Sequence, residues 1–370
     1  MGKYYIQSYI NKNSMNYLNK LYQTNPYALE KKNKDKIFSN AIIDLTRHHY
    51  KKCELYKKIV KNLNFKLKKN IKMEDLPMLP ARIFKKYNLK SIPNRKIIKK
   101  LVSSGTSEQK LSKIYLDKEN AKNQIKALGK IMETILGKQR LPMLIIDQNP
   151  KMFDRTIFNA KATAIYGFSL FGRNYCYLLN DEKEIDYNSL NIFLKKYGSD
   201  KFFVFGFTSM IFEYLIKKLS SKKINSKFKN AVLLHGGGWK KLEKLKISNN
   251  IFKKQLLNKI EVENVYNYYG LVEQAGSIFL ECKKCACFVA SSFSDVLIRD
   301  KKFNIAKNGE KGLIQLFSLL PTSYPGHNIL TEDIGEIIRE NNYKCGIKGK
   351  HFLVHGRAKE AEIRGCSDVR

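Results

Sequence analysis

Three sets of side chains in this sequence have the types and spacing for chemistry. The first is Ser103-Ser104-Gly105-Thr106-Ser107, preceded by the basic run Arg95 to Lys100. It has no apolar periodicity and reads as a loop. Its glycine lets backbone pass close to a ligand, and its hydroxyls and turn amides suit phosphate oxygens; by itself it reads equally as a polar turn. The second set comprises Gly236-Gly237-Gly238 and Tyr268-Tyr269-Gly270-Leu271-Val272-Glu273-Gln274. A glycine triplet allows a flat base to lie against bare backbone, or simply makes a tight turn. The third is Cys282-Lys283-Lys284-Cys285-Ala286-Cys287. Its Cys-x-x-Cys knuckle suits tetrahedral Zn²⁺, which needs further ligands from afar. Cys345 offers one, so Cys282, Cys285, Cys287 and Cys345 are the expected set, with His351 or His355 as substitutes. Ordinary reduced cysteines are the alternative.

The elements around these residues form an alternating pattern. Residues 1–75 read as a basic helical region, with Ile42, Ile43, Leu45, Leu55, Ile59, Val60 and Leu63 at helical spacing. His48 and His49 fall there as solvated or core histidines. Leu76-Pro77-Met78-Leu79-Pro80 bars a helix interior and opens the main domain, 76–294. Asp117 caps a helix whose expected inward stripe is Ile125, Leu128, Ile131, Met132, Ile135 and Leu136. Strands are expected at Leu141 to Asp147, Lys201 to Phe207, Ala231 to Leu234 and Val262 to Tyr268, with a helix over Thr208 to Leu219. Strand, loop and helix repeating in this way indicate a layered α/β fold with a mostly parallel sheet. Such sheets bind ligands beyond the carboxyl ends of their strands, where the three polar stretches at 103–107, 236–238 and 268–274 fall. From residue 295 to 370 the pattern changes to short strands and turns, a small β subdomain with Glu332 and Asp333 at its edge and a hinge-like tail.

Composition narrows the class. With 370 residues and 43% hydrophobic content the chain can bury a large core. No stretch reaches the ~18 apolar residues of a membrane span, and the first residues lack a signal-peptide core. A cytoplasmic location is expected, and there seven cysteines point to thiols or metal ligands, not a disulfide scaffold. The net charge of +36 raises nucleic-acid binding, as a zinc-stabilised basic module. Against it, the charge is mostly lysine spread along the chain, whereas base and phosphate recognition favours arginine forks.

Taken in order, several stretches resemble the adenylate-forming enzymes, and more closely the LuxE-type acyl-protein synthetases. They are Leu79-Pro80 with Ile83-Phe84-Lys85, Ser103 to Ser107, Pro142 to Asp147, Tyr269 to Gln274, Ser323-Tyr324-Pro325-Gly326-His327, Leu330-Thr331-Glu332-Asp333, and Ala361 to Asp368. The resemblance implies the large N-terminal domain of an adenylate-forming enzyme, without its mobile C-terminal lid. It implies that ATP and Mg²⁺ activate a carboxylic acid, a fatty acid in this family, to acyl-AMP. Ser103 to Ser107 would hold the triphosphate, and Gly236 to Gly238 would line the adenine pocket. Tyr269, followed by Gly270, would stack on adenine, and Glu273 would help hold Mg²⁺. Asp333 would bind the ribose hydroxyls, with Arg357 beside ribose and phosphate. Cys366 would accept the acyl group and pass it to a reductase or carrier partner, its thiolate favoured by Arg364 and Arg370. Two positions depart from the family pattern: Glu108 replaces a common glycine, and Val272 replaces a common threonine. A second reading loads a small acid onto coenzyme A, a carrier protein or a sugar for surface-polysaccharide synthesis.

Overall fold

Phe202-Phe203-Val204-Phe205 shows no polar alternation because the strand it forms is covered on both faces; every residue from Phe202 to Phe207 is buried. This strand is central to one of two units in a computed structural model of the chain. The structure describes residues 17–68, 70–103, 111–149, 157–158, 160–225, 227–239, 245, 247–340 and 344–358. Its strands are β1 (Leu79–Pro80), β2 (Lys99–Val102), β3 (Lys113–Leu116), β4 (Leu141–Gln148), β5 (Ile157–Phe158), β6 (Gly172–Leu179), β7 (Phe202–Phe207) and β8 (Ala231–Gly236). They continue with β9 (Asn264–Tyr269), β10 (Phe279–Glu281), β11 (Phe288–Val289), β12 (Ser294–Arg299), β13 (Gly312–Ser318), β14 (Asn328–Glu340) and β15 (Lys350–Arg357).

One unit comprises Met1–Val102, Lys110–Ile131 and Gly270–Glu362; the other comprises Ser103–Gln109, Met132–Tyr269 and Ile363–Arg370. The division is discontinuous in sequence, unlike the consecutive segments 1–75, 76–294 and 295–370 expected above. In the second unit the strands run in the order β9-β8-β7-β4-β6, all parallel. Leu144, Val204 and Leu233 on these strands share a core with Phe212, Leu215 and Phe252 from the crossover helices. The helix expected over Thr208 to Leu219 starts as one α turn and then widens into a π-helix at Ile211–Lys218; Leu219 N–H reaches back five residues to the Tyr214 carbonyl.

In the first unit, β12-β13-β14-β15-β11-β10 form an antiparallel sheet, and β1 adds in parallel to β14. β14 runs 13 residues, longer than the short strand expected at Ile334 to Ile338. The N-terminal helices Lys31–Lys52 and Glu54–Asn62 are built into this unit. Cys53, Tyr56 and Val60 share a core with Leu79, Phe84, Tyr324 and Ile329. His49 is fully buried between the Ser91 hydroxyl at 2.7 Å and the Pro321 carbonyl at 3.0 Å. The helix Lys118–Leu136 starts where Asp117 accepts a hydrogen bond from the Asn120 N–H at 2.8 Å. Of its expected inward stripe Leu128, Ile131, Met132 and Leu136 are buried and Ile135 is half-buried, but Ile125 is 53% exposed and Gln124 beside it is buried instead. Among the described residues no helix is long and apolar enough to cross a membrane.

Candidate active site

In the first unit the site is built around a single turn. Val272–Gln274 forms one turn of 3-10 helix and buries the Glu273 side chain. Burial pushes the Glu273 carboxyl above its ordinary range; a hydrogen bond from Ser112 and the charges of Lys85 and Arg357 pull it back down. The turn is held from below by Ser323 to His327. The Tyr324 hydroxyl donates to the Glu273 carbonyl at 2.9 Å, and the Gln274 amide donates to the Gly326 carbonyl at 2.8 Å. Gly326 has to be glycine here, since a Cβ would stand 2.6 Å from the Glu273 carbonyl oxygen and 2.4 Å from the Tyr324 ring. Ser323 is fixed in turn by the buried Asn120 side chain, whose carbonyl oxygen accepts from the Ser323 N–H at 3.1 Å and from the Thr322 N–H at 2.9 Å.

Strand register sets the second group. β14 and β15 pair antiparallel with Asp333 opposite Arg357, which leaves the guanidinium Nε 3.8 Å from the carboxylate. The Asp333 N–H donates to the Thr331 hydroxyl at 3.1 Å, and Arg82 pairs with Glu332 at 3.1 Å. Immediately after Asp333 the ladder shifts register between Ile334 and Gly335. A Cβ on Gly335 would lie 2.5 Å from the Leu353 carbonyl, so glycine is what lets the strands close there. Arg357 thus connects both groups, adjacent to Asp333 and acting on Glu273. Lys85 and Ser112 join this neighbourhood without having been assigned a role from sequence. For Lys85 the signal was its place in the Leu79 to Lys85 stretch, whereas Ser112 had none.

In the second unit the polar residues lie at the carboxyl ends of the parallel strands, as the sheet type requires. Asp147 is the penultimate residue of β4, and its buried carboxylate pairs with Lys161 at 2.8 Å. After β7, the Thr208 hydroxyl lies 2.9 Å from His235 Nδ1 and 3.2 Å from the Gly236 carbonyl. Gly236 pairs in register with Tyr268, whose ring crosses the place a side chain would take; a Cβ would be 2.4 Å from it. Bare backbone at Gly236 therefore accommodates this tyrosine. Gly237 has φ +80° and turns the chain, and a Cβ on Gly238 would meet nothing within 4 Å. Tyr269 closes β9 with its side chain on the opposite face from Tyr268, and Gly270 follows in the first unit. Ser103 follows β2 directly and is half-buried. Ser104, Gly105, Thr106 and Ser107 lie outside the described residues, as does Cys366.

The cysteines separate differently from the expectation. The Sγ atoms of Cys282, Cys285 and Cys345 lie within 4.8 Å of one another. Cys287 is not in that group; its thiol is directed to the Cys285 carbonyl at 3.5 Å as the chain turns into β11. His351, also outside that group, lies against one of its members, with Nε2 3.4 Å from Cys345 Sγ. His355 instead pairs with Glu336 at 2.9 Å.

Comparison with known proteins agrees with this architecture. An open conformation of 2-hydroxyisobutyryl-CoA ligase in complex with 2-HIB-AMP and CoA superposes with a TM-score of 0.70 at 12% identity, over 90% of this chain and 77% of that one. The same ligase in its postadenylation state with R3-HIB-AMP gives a TM-score of 0.67 at 11% identity, over 90% and 69%. Comparison with curated protein sequences finds no match. The fold is that of the adenylate-forming enzymes, a mixed α/β class with a parallel sheet and an antiparallel one. Within that class the family model of the acyl-protein synthetase, LuxE, matches residues 6–370, and the chain belongs to this family.

Proposed function

We propose that the chain uses ATP to activate a carboxylic acid, a fatty acid by preference, and passes the acyl group through Cys366 to an acyl-accepting protein such as a reductase or carrier. In the first step a carboxylate oxygen attacks the α-phosphorus. The α–β P–O bond breaks, pyrophosphate leaves, and acyl-AMP forms. In the second step the Cys366 thiolate attacks the acyl carbonyl, a C–S bond forms and AMP leaves. The observation that carries the reading is the family match, which extends to residue 370 and so includes the Cys366 motif.

The convergence of Glu273, Arg357 and Asp333 supports the first step. Developing charge on the phosphoryl group needs preorganised cations, and Arg357 and Lys85 are the cations acting on Glu273. Asp333 has an accepting carboxylate for the ribose hydroxyls, held in line by its register with Arg357. Glu273 has a buried carboxylate suited to Mg²⁺, which when bound would neutralise charge on the phosphates. Gly238 leaves open backbone for the adenine, with Gly237 turning the chain beside it, Tyr269 for stacking and Ser103 to Ser107 for the triphosphate.

Cys366→Ser tests the order of events. The variant is expected to retain acid-dependent ATP–pyrophosphate exchange and to lose hydroxylamine-labile acylation of the protein and delivery to any acceptor. Unchanged acyl delivery would refute the role of Cys366.

A further inference from the structure

We infer that Cys282, Cys285, Cys345 and His351 hold one structural zinc ion, a site separate from the adenylation chemistry. The four donors come from two stretches of the first unit. Cys282 and Cys285 bracket a tight turn after β10, closed by hydrogen bonds from Ala286 N–H to the Cys282 carbonyl and from Cys282 N–H to the Cys287 carbonyl, both 2.8 Å. Ala286 has φ 55° and completes the reversal. Cys345 is followed by Gly346 at φ +76°, and His351 lies at the start of β15.

The spacing is that of a metal's coordination shell. Zn–S bonds of about 2.3 Å and Zn–N bonds of about 2.0 Å at tetrahedral angles put sulfurs roughly 3.8 Å apart and a sulfur and a nitrogen roughly 3.5 Å apart. The three Sγ atoms lie within 4.8 Å of one another, and Cys345 Sγ lies 3.4 Å from His351 Nε2. The imidazole is already turned for this role. Its Nδ1 is 3.0 Å from the Gly349 carbonyl and donates to it, which leaves the Nε2 lone pair for the Cys345 side, 3.4 Å from that sulfur. Metal-binding histidines are oriented by such an outer hydrogen bond. Buried cysteines can serve as small apolar residues, but that role does not require three thiols gathered together with an oriented imidazole against one of them.

The donor set selects the ion and its role. Three thiolates and one imidazole match the Cys₃His pattern of structural zinc. Cys282, Cys345 and His351 are buried, so four protein ligands leave no open position for a substrate or water. Binding is not a redox step: each thiol gives its proton to solvent as a Zn–S bond forms. The ion would tie the Cys282 to Cys285 turn to the segment leading into β15, the strand that carries Arg357.

Metal analysis of the full-length protein, purified without chelator, is expected to find one zinc per chain. Cys345→Ser and His351→Ala should each weaken zinc retention by more than the roughly 10–100-fold that loss of an outer-shell partner costs. Cys287→Ser should keep the full zinc content. If either ligand variant fails to fold, the wild-type protein exchanged into Co²⁺ supplies the same information. It should show the intense visible bands of a tetrahedral site and charge-transfer absorption from three thiolates. Wild-type protein that takes up neither zinc nor tetrahedral cobalt would overturn the site. Loss of zinc in Cys287→Ser with retention in His351→Ala would overturn the ligand set. None of these measurements depends on turnover, so this site and the adenylation reading stand or fall separately.

Discussion

Mild acid should destabilise the second unit through one side chain, His235. Of the six histidines it is the only one in that unit. It is buried against Phe252, with ring centroids 4.8 Å apart, and its Nδ1 is engaged by Thr208. Burial, assisted by the charge of Lys253, holds its pKa down to about 3 from an ordinary 6.5. The folded unit therefore excludes a proton that the unfolded chain accepts. Stability is complete above pH 6.5 and is lost as pH falls from there towards 3. Between pH 6.5 and pH 5 the loss is about 1.6 kcal/mol, from the difference in proton binding of a single group. Carboxylates with ordinary values titrate mostly below this window. His48, His49 and His327 of the first unit, also held down by burial, add to the loss wherever both units unfold together, so the share of His235 is read from its variant. The chain's single tryptophan, Trp239, packs on Phe212 and Phe252 in the same unit and reports its unfolding. Urea unfolding followed by Trp239 fluorescence should show the midpoint falling by roughly 1 M over this range. His235→Asn, which retains a partner for Thr208, should flatten the dependence at some cost in stability. A wild-type midpoint constant from pH 6.5 to pH 5, or an equal slope in the variant, would refute the argument.

Two further substitutions separate scaffold from site. Gly326→Ala forces a methyl group against the Glu273 carbonyl and the Tyr324 ring, so a loss of about 1–3 kcal/mol is expected, read as a lowered Tm together with weaker adenylation. Asp333→Asn keeps the strand register but removes the charge; the KM for ATP should rise by roughly tenfold, the value of one charge-assisted hydrogen bond, with Tm nearly unchanged. An unaltered KM would remove Asp333 from ribose binding.

The parallel sheet was legible because its strands carry continuous apolar runs ending in polar residues, as at Leu141 to Asp147 and Phe202 to Thr208. The helix after Asp117 was legible from its cap. Domain boundaries were not, because the first unit is assembled from three separated segments and burial pattern alone carries no information about which distant segments share a core. Tyr56 beside Tyr324 in one core illustrates this. At the candidate site, Glu273, Asp333 and Arg357 were found as motif residues, but Ser112 was not, since an isolated serine leaves no pattern. The cysteines divide similarly. The Cys-x-x-Cys spacing identified Cys282 and Cys285, whereas the separation of Cys287 from them depended on the turn that directs its thiol to the Cys285 carbonyl. For Gly236, bare backbone was expected to receive a flat base, whereas the ring lying against it is Tyr268 of the neighbouring strand.

The most direct test of the central claim is carboxylate-dependent ATP–pyrophosphate exchange with the purified protein, against acids from acetate to tetradecanoate together with aryl and hydroxy acids. Exchange that requires both ATP and one class of acid, greatest with the long chains, is the predicted result. Protein that binds ATP yet exchanges pyrophosphate with none of these acids would contradict it.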